Sequence, residues 1–268
     1  MTFIREVLTE LYSSRRLIYE LARDDFKLRF AGSRLGAVWG FIQPLVTIFL
    51  YWFVFQVGFR STDASGRIPY ILWLTAGMIP WFFFQEAWSG TSNYLYEYSF
   101  LVKKVVFKIE ILPFVKLLSA LFVHLFFVAL VLLMMALYEY KAEIYVLQLA
   151  YYLFSELILI YALSLIVSSL SVFIKDVLQV MGVMIQIFFW MVPIVWSPDN
   201  LQGTFILKIL RLNPVNYFIE GYRDALLNHV WFWEKPFYAV YYWAAVCVLL
   251  GMGIWVYRKL KRYFADLL

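Results

Sequence analysis

"LGAVWGFIQPLVTIFLYWFVFQVG", Leu35 to Gly58, runs 24 residues without an Asp, Glu, Lys or Arg. A bilayer core about 30 Å thick needs roughly 20 apolar residues in a helix, so this stretch is long enough to cross. Four more uncharged runs follow the same rule: Ile68–Gln85, Leu117–Tyr138, Val177–Pro198 and Pro236–Tyr257. A further run, Ile144–Ile174, is interrupted only by Glu156 and exceeds one span, so its ends emerge or tilt. The composition agrees: 64% of the 268 residues are hydrophobic and 21% aromatic, with a mean hydropathy of +0.75, well above soluble domains.

These runs predict an all-α integral membrane protein of six transmembrane helices in one transmembrane domain over residues 1–268. Residues 1–34 precede the first span, 35–198 hold spans one to five, 199–230 link to span six at 236–257, and 258–268 form a tail. Six spans put both termini on one side. With that side cytoplasmic, 16 of the 23 basic residues fall inside, which predicts cytoplasmic termini and a multi-pass protein of the cytoplasmic membrane. Before the first span, Ile4, Val7, Leu8, Leu11, Ile18 and Leu21 recur at helical spacing beside basic residues, as expected of a helix lying on the cytoplasmic membrane face.

The chain lacks GxxxxGK[ST], HExxH and GxSxG, so no nucleotide cradle, metalloprotease site or nucleophile elbow is expected. Its single cysteine, Cys247, lies in an apolar run and excludes a disulfide framework. No catalytic residue, metal, cofactor or nucleic-acid partner is expected in this chain. Glu156 inside a span is either hydrogen-bonded between helices or the carboxylate of a proton-coupled carrier. Gly32, Gly36 and Gly40, spaced by four, predict one small-residue face on the entering first helix, for packing within the subunit or for dimerisation. Pro44, Pro80 and Pro193 fall within spans, where each can kink a helix or free carbonyls. The aromatics Tyr51, Trp52, Phe55, Trp81 and Phe84 suit an interfacial belt or core, or else an aromatic-lined conduit for sugars.

Between spans two and three, "YEYSFLVKKVVFKIEILP" is basic and amphipathic, with Leu101, Val105 and Ile109 at spacing four. Such a helix could rest on lipid headgroups or dock into a soluble partner. Between spans five and six, Asn213 is a favoured cap and Pro214 a favoured first helical residue. Val215, Phe218, Ile219, Tyr222, Ala225 and Leu226 then form one stripe, with Glu220, Arg223 and Asp224 off it and Glu220 three residues from Arg223. Pro214–Leu227 spans about 21 Å, short of a full crossing. With a preceding arm in "NLQGTFILKIL" it forms either an external re-entrant hairpin or an amphipathic helix on the outer surface.

"FKLRFAGSRLGAVWGFIQPL" and "LNPVNYFIEGYRDALL" together resemble the permease subunits of type-2 ABC exporters for cell-surface polysaccharides, across nearly the whole chain. "IFLYWFVFQVGFR" and "LTAGMIPWFFF" look most like wall teichoic acid exporters, with O-antigen and capsule permeases close by. The resemblance implies a homodimer bound to two copies of a separate ATPase subunit, which carries ATP and Mg. It implies that the amino-terminal helix and a coupling region including Glu97, Leu101, Lys103, Lys104, Val105, Lys108 and Glu110 meet that ATPase. It implies a lipid-linked polymer moving through a conduit where Tyr51, Trp52, Phe55, Trp81 and Phe84 stack on sugars. Asn213, Pro214, Glu220, Arg223 and Asp224 then belong to an external gate.

Overall fold

The computed structural model describes residues 2–60, 68–103, 109–198 and 203–268, which are helical and carry no strand. In chain order the helices are α1 Thr2–Ser13, α2 Arg15–Arg29, α3 Trp39–Trp52, α4 Tyr70–Glu97, α5 Ser99–Val102, α6 Leu112–Leu137, α7 Leu149–Ser171, α8 Asp176–Met191, α9 Phe205–Arg211, α10 Pro214–Arg223, α11 Pro236–Leu260 and α12 Phe264–Leu267. Among the described residues, four helical stretches are long and apolar enough to cross a membrane: Gly36–Gly58, Ile109–Leu137, Ile144–Ser171 and Pro236–Leu267.

The other two expected spans take different forms. α4 is 28 residues long, about 42 Å, and continues twelve residues past Gln85 to Glu97, so its polar end stands beyond the apolar run. α8 has 16 residues, about 24 Å, and stops where Val192 turns extended (φ −89°, ψ 136°) just before Pro193. Pro193 therefore ends its helix rather than kinking it, whereas Pro44 and Pro80 sit inside α3 and α4. After Trp52 the first span continues as a π-helical turn, Phe53–Gly58.

The amino-terminal amphipathic stretch breaks at Ser14 into α1 and α2. Val7 and Ile18 are buried as the spacing predicts and Leu11 and Leu21 half-buried, while Leu8 stays 60% exposed; the Ile4 side chain lies outside the described residues. Phe3 adds an unforeseen anchor, its ring 5.9 Å from that of Tyr257 on α11. The glycine face is not there. Gly32 (φ 86°) and Gly36 (φ 52°) adopt left-handed conformations in the turn between α2 and α3, where a side chain would be strained. Only Gly40 lies in α3, and a Cβ there would come within 2.8 Å of the Phe30 ring.

The core is built around α4, where nineteen of 28 residues are buried, packed against α6, α7, α8 and α10. α11 packs along α7. α3 lies at the edge and buries only Ile48.

Candidate functional site

A cavity of about 1090 Å³ opens between α3, α4, α6 and α8, with the end of α2 at its rim. Two of the five expected conduit aromatics line it: Tyr51 from α3 and Trp81 from α4. Both rings meet Phe189 of α8, each at 5.4 Å between centroids. Phe84 is fully buried behind them, against Trp88 and against Phe218 of α10. Trp52 and Phe55 are half-buried on α3 and its π turn, outside the lining.

The polar lining was not foreseen. Gln43 and Thr47 of α3, Gln85 of α4 and Gln186 of α8 face the cavity. Amides and hydroxyls both donate and accept, so the wall combines ring faces with neutral hydrogen-bonding groups, a surface suited to polyhydroxylated molecules. The available signal was a neutral amide inside three of the uncharged runs, Leu35–Gly58, Ile68–Gln85 and Val177–Pro198. At one end stand Arg29 and Glu86, which pair with each other.

His124 of α6 also lines the cavity, and its Nε2 lies 2.9 Å from the Tyr222 hydroxyl on α10. α10 begins as its sequence predicts: the Asn213 side chain accepts from the Val215 amide at 3.0 Å, and Pro214 holds the first helical position. The helix then tightens its grip beyond the predicted stripe. Eight of its ten residues are buried, and the chain continues as a π-helical turn, Asp224–Asn228, before His229 turns left-handed (φ 55°).

Arg223 does not pair with Glu220. Its guanidinium donates to the carbonyls of Pro193 (2.6 Å), Ile194 (2.8 Å) and Trp73 (3.3 Å) and lies over the Trp73 ring at 3.6 Å. The break after α8 leaves carbonyls without helical partners, and the planar guanidinium, with five donors, reaches those of Pro193 and Ile194 together. Glu220 instead accepts from Asn216 at 3.3 Å. Asp224 is buried, accepting from Asn228 at 2.9 Å and pairing with Lys235. Gly221 lets α10 close on α7, since a Cβ there would fall 2.1 Å from the Tyr152 ring. Of the preceding arm, Phe205–Arg211 is helical and capped by Thr204, and residues 199–202 lie outside the described residues.

Glu156 of α7 is fully buried, and neither carboxyl oxygen has a hydrogen-bond partner among the described residues. The expected interhelical hydrogen bond is therefore not made.

Next to Arg29, which lies 3.7 Å from Asp25, a charged cluster ties α2 to the bundle. Lys116 of α6 donates to Asp25 of α2 at 2.5 Å and pairs with Glu97 of α4, while the Tyr98 hydroxyl donates to Asp25 at 3.0 Å. Burial alone would push the Asp25 carboxyl up. The hydrogen bond and charge of Lys116, with help from Ser119 and Tyr98, outweigh it and hold the group below its ordinary value. Of the expected coupling residues, Glu97 ends α4, Leu101 lies in the short α5 with Lys103 just after it, and Glu110 pairs with Lys261. Lys104, Val105 and Lys108 lie outside the described residues; on either side of them Ser99–Val102 is a short helix and Ile109–Ile111 a 3₁₀ turn.

The chain is similar to known proteins over almost its full length. It is 24% identical over 257 residues to an O-antigen export system permease protein, RfbA, of Klebsiella pneumoniae, covering 94% of this chain and 95% of that protein. It is 24% identical over 262 residues to the protein of the same name from Myxococcus xanthus, covering 97% and 98%. The family model described as ABC-2 type transporter matches residues 16–227, most of the chain, from α2 through α10. With its apolar helices and core-seated α10, the chain belongs to the ABC-2 type transporter family.

Proposed function

We propose that this chain is the permease of an ATP-driven exporter of a lipid-linked cell-surface polysaccharide. The observation that carries the reading is the cavity, in which Tyr51 and Trp81 present ring faces beside Gln43, Thr47, Gln85 and Gln186. Membership of the family implies a separate ATPase subunit, consistent with a sequence that has no phosphate-binding loop. The names of the relatives favour an O-antigen-type polymer over the teichoic acid expected from local motifs. In this reading the chain makes six crossings with cytoplasmic termini, α4 and α8 included, and two copies face each other with two ATPase subunits beneath. α9 and α10 form the external re-entrant pair, and Asn213, Pro214, Glu220, Arg223 and Asp224 hold the outer closure of the path.

A proton-coupled carrier using Glu156 has less support, because Glu156 is sealed in the core and does not line the cavity.

Co-reconstitution with the ATPase tests the proposal. Export of a lipid-linked polysaccharide into proteoliposomes should require ATP and both subunits, and transport by this chain alone would overturn it. In that assay Tyr51→Ala and Gln186→Ala should each lower export several-fold at unchanged assembly, whereas Trp52→Ala, outside the lining, should not.

A further inference from the structure

The cavity between α3, α4, α6 and α8 has a charge pattern as well as a shape. Among the described residues, Arg29 and Glu86 are the only ion-paired side chains on its wall, and they pair with each other, so their charges cancel. Asp25 lies 3.7 Å from the same guanidinium, which is thus matched by two carboxylates. The other polar groups include Gln43 and Thr47 of α3, Gln85 of α4 and Gln186 of α8, all neutral. His124 brings a ring nitrogen, but its Nε2 is engaged by the Tyr222 hydroxyl. Most of the remaining wall is aromatic or aliphatic.

This neutrality does not come from a shortage of basic residues, since the chain has 23 Lys and Arg. Lys116 stands one helical turn before Ala120, which lines the cavity, yet it is spent on Asp25 at 2.5 Å and on Glu97. An uncharged sugar loses little on such a wall, because amides and hydroxyls both donate and accept in exchange for the water it sheds. A phosphodiester or a carboxylate loses far more, since a charge taken out of water needs a counter-charge in return. Pores that pass anions and phosphates line their paths with Arg and Lys for that reason. In the dimer proposed above, a second copy repeats the same wall and adds no net charge. A charge at the lipid linkage passes once per molecule, whereas a charge on every repeat would occupy the cavity throughout export.

Resting on the exporter reading above, we infer that the polymer this cavity accepts has an uncharged repeat unit. Chains of neutral hexoses are taken, and chains with a phosphate or carboxylate in each repeat are refused. Gln43, Gln85 and Gln186 determine this specificity by offering hydrogen bonds without charge.

Co-reconstitution with the ATPase subunit tests this with three polymers of matched length on one lipid carrier: a galactan, a mannan and a poly(glycerol phosphate). At least one uncharged chain should be exported about tenfold faster than the poly(glycerol phosphate). Gln186→Arg sets a cation on the wall. It should lower export of the uncharged chain several-fold and raise that of the poly(glycerol phosphate) about tenfold, the low end of the gain from a charged cleft. Should Gln186→Arg not assemble with the ATPase, Gln43→Lys makes the same change from α3. Poly(glycerol phosphate) leaving the wild type as fast as the galactan and the mannan would overturn the inference and leave the exporter reading standing. So would an assembled cation variant that exports the anionic chain no better than the wild type does. Export of none of the three polymers would sink the exporter reading itself, and this inference with it.

Discussion

α10 and α3 invert the pattern familiar from soluble proteins. α10 is short and carries Asn216, Glu220 and Arg223, yet eight of its ten residues are buried. α3 carries no charge and only Gln43 and Thr47 as polar side chains, yet it buries Ile48 alone, leaving Phe49, Leu50 and Val46 about half exposed. In water the apolar helix would be the one hidden. Where hydrocarbon surrounds the bundle, apolar side chains are at home outside, and polar backbone and side chains must find their partners within protein. Between these two helices, burial follows the need for hydrogen bonds more than it follows hydrophobicity.

The contrast can be broken most forcefully at Arg223. Arg223→Ala removes three hydrogen bonds and leaves the Pro193 and Ile194 carbonyls buried and unpaired, a loss of about 2–6 kcal/mol at about 1–3 kcal/mol for each orphaned carbonyl. Thermal unfolding of the purified chain, followed by size-exclusion chromatography, should show the largest drop among these variants. Gly221→Val should come next, at about 1–3 kcal/mol, as the added carbons drive α10 off Tyr152. Paired replacement with Tyr152→Ala should recover part of the loss.

A smaller effect is expected at the charged cluster. Because Asp25 is held below its ordinary value, its contribution to stability is complete above the unfolded carboxylate pKa of 3.8 and fades as pH falls through the lower folded value. Asp25→Asn should remove that acid limb from a stability-against-pH curve; an unchanged limb would show that other carboxylates cause it. Smallest of all is Phe49→Leu on α3, expected within about 0.5 kcal/mol because its environment is apolar before and after. A loss as large as that at Arg223 would erase the distinction between the two helices.

Much of the framework could be read from residue order. Uncharged runs marked the long helices, and the Asn213–Pro214 pair marked the start of α10 to the residue. Local signals failed where distant segments decide. Pro193 allowed either a kink or an end within Val177–Pro198, and the acceptor-hungry guanidinium that settles the break comes from α10. The spacing of Gly32, Gly36 and Gly40 fits a helix face equally well as a turn, and only the φ angles separate the two. Aromatic composition nominated five conduit residues, while the choice of Tyr51 and Trp81 depends on which helix faces which. The amides beside them went unremarked because one glutamine in an apolar run hardly alters its hydropathy.

The turn after α8 and the arginine thirty residues later hold each other in place. Two more helical turns on α8 would hand the Pro193 carbonyl to the Ser197 amide and displace the guanidinium that now holds it. Losing the arginine would equally leave the short helix without a reason to end. Neither segment can change length or charge alone, so a chimera that exchanges α8 between relatives must carry residue 223 along with it.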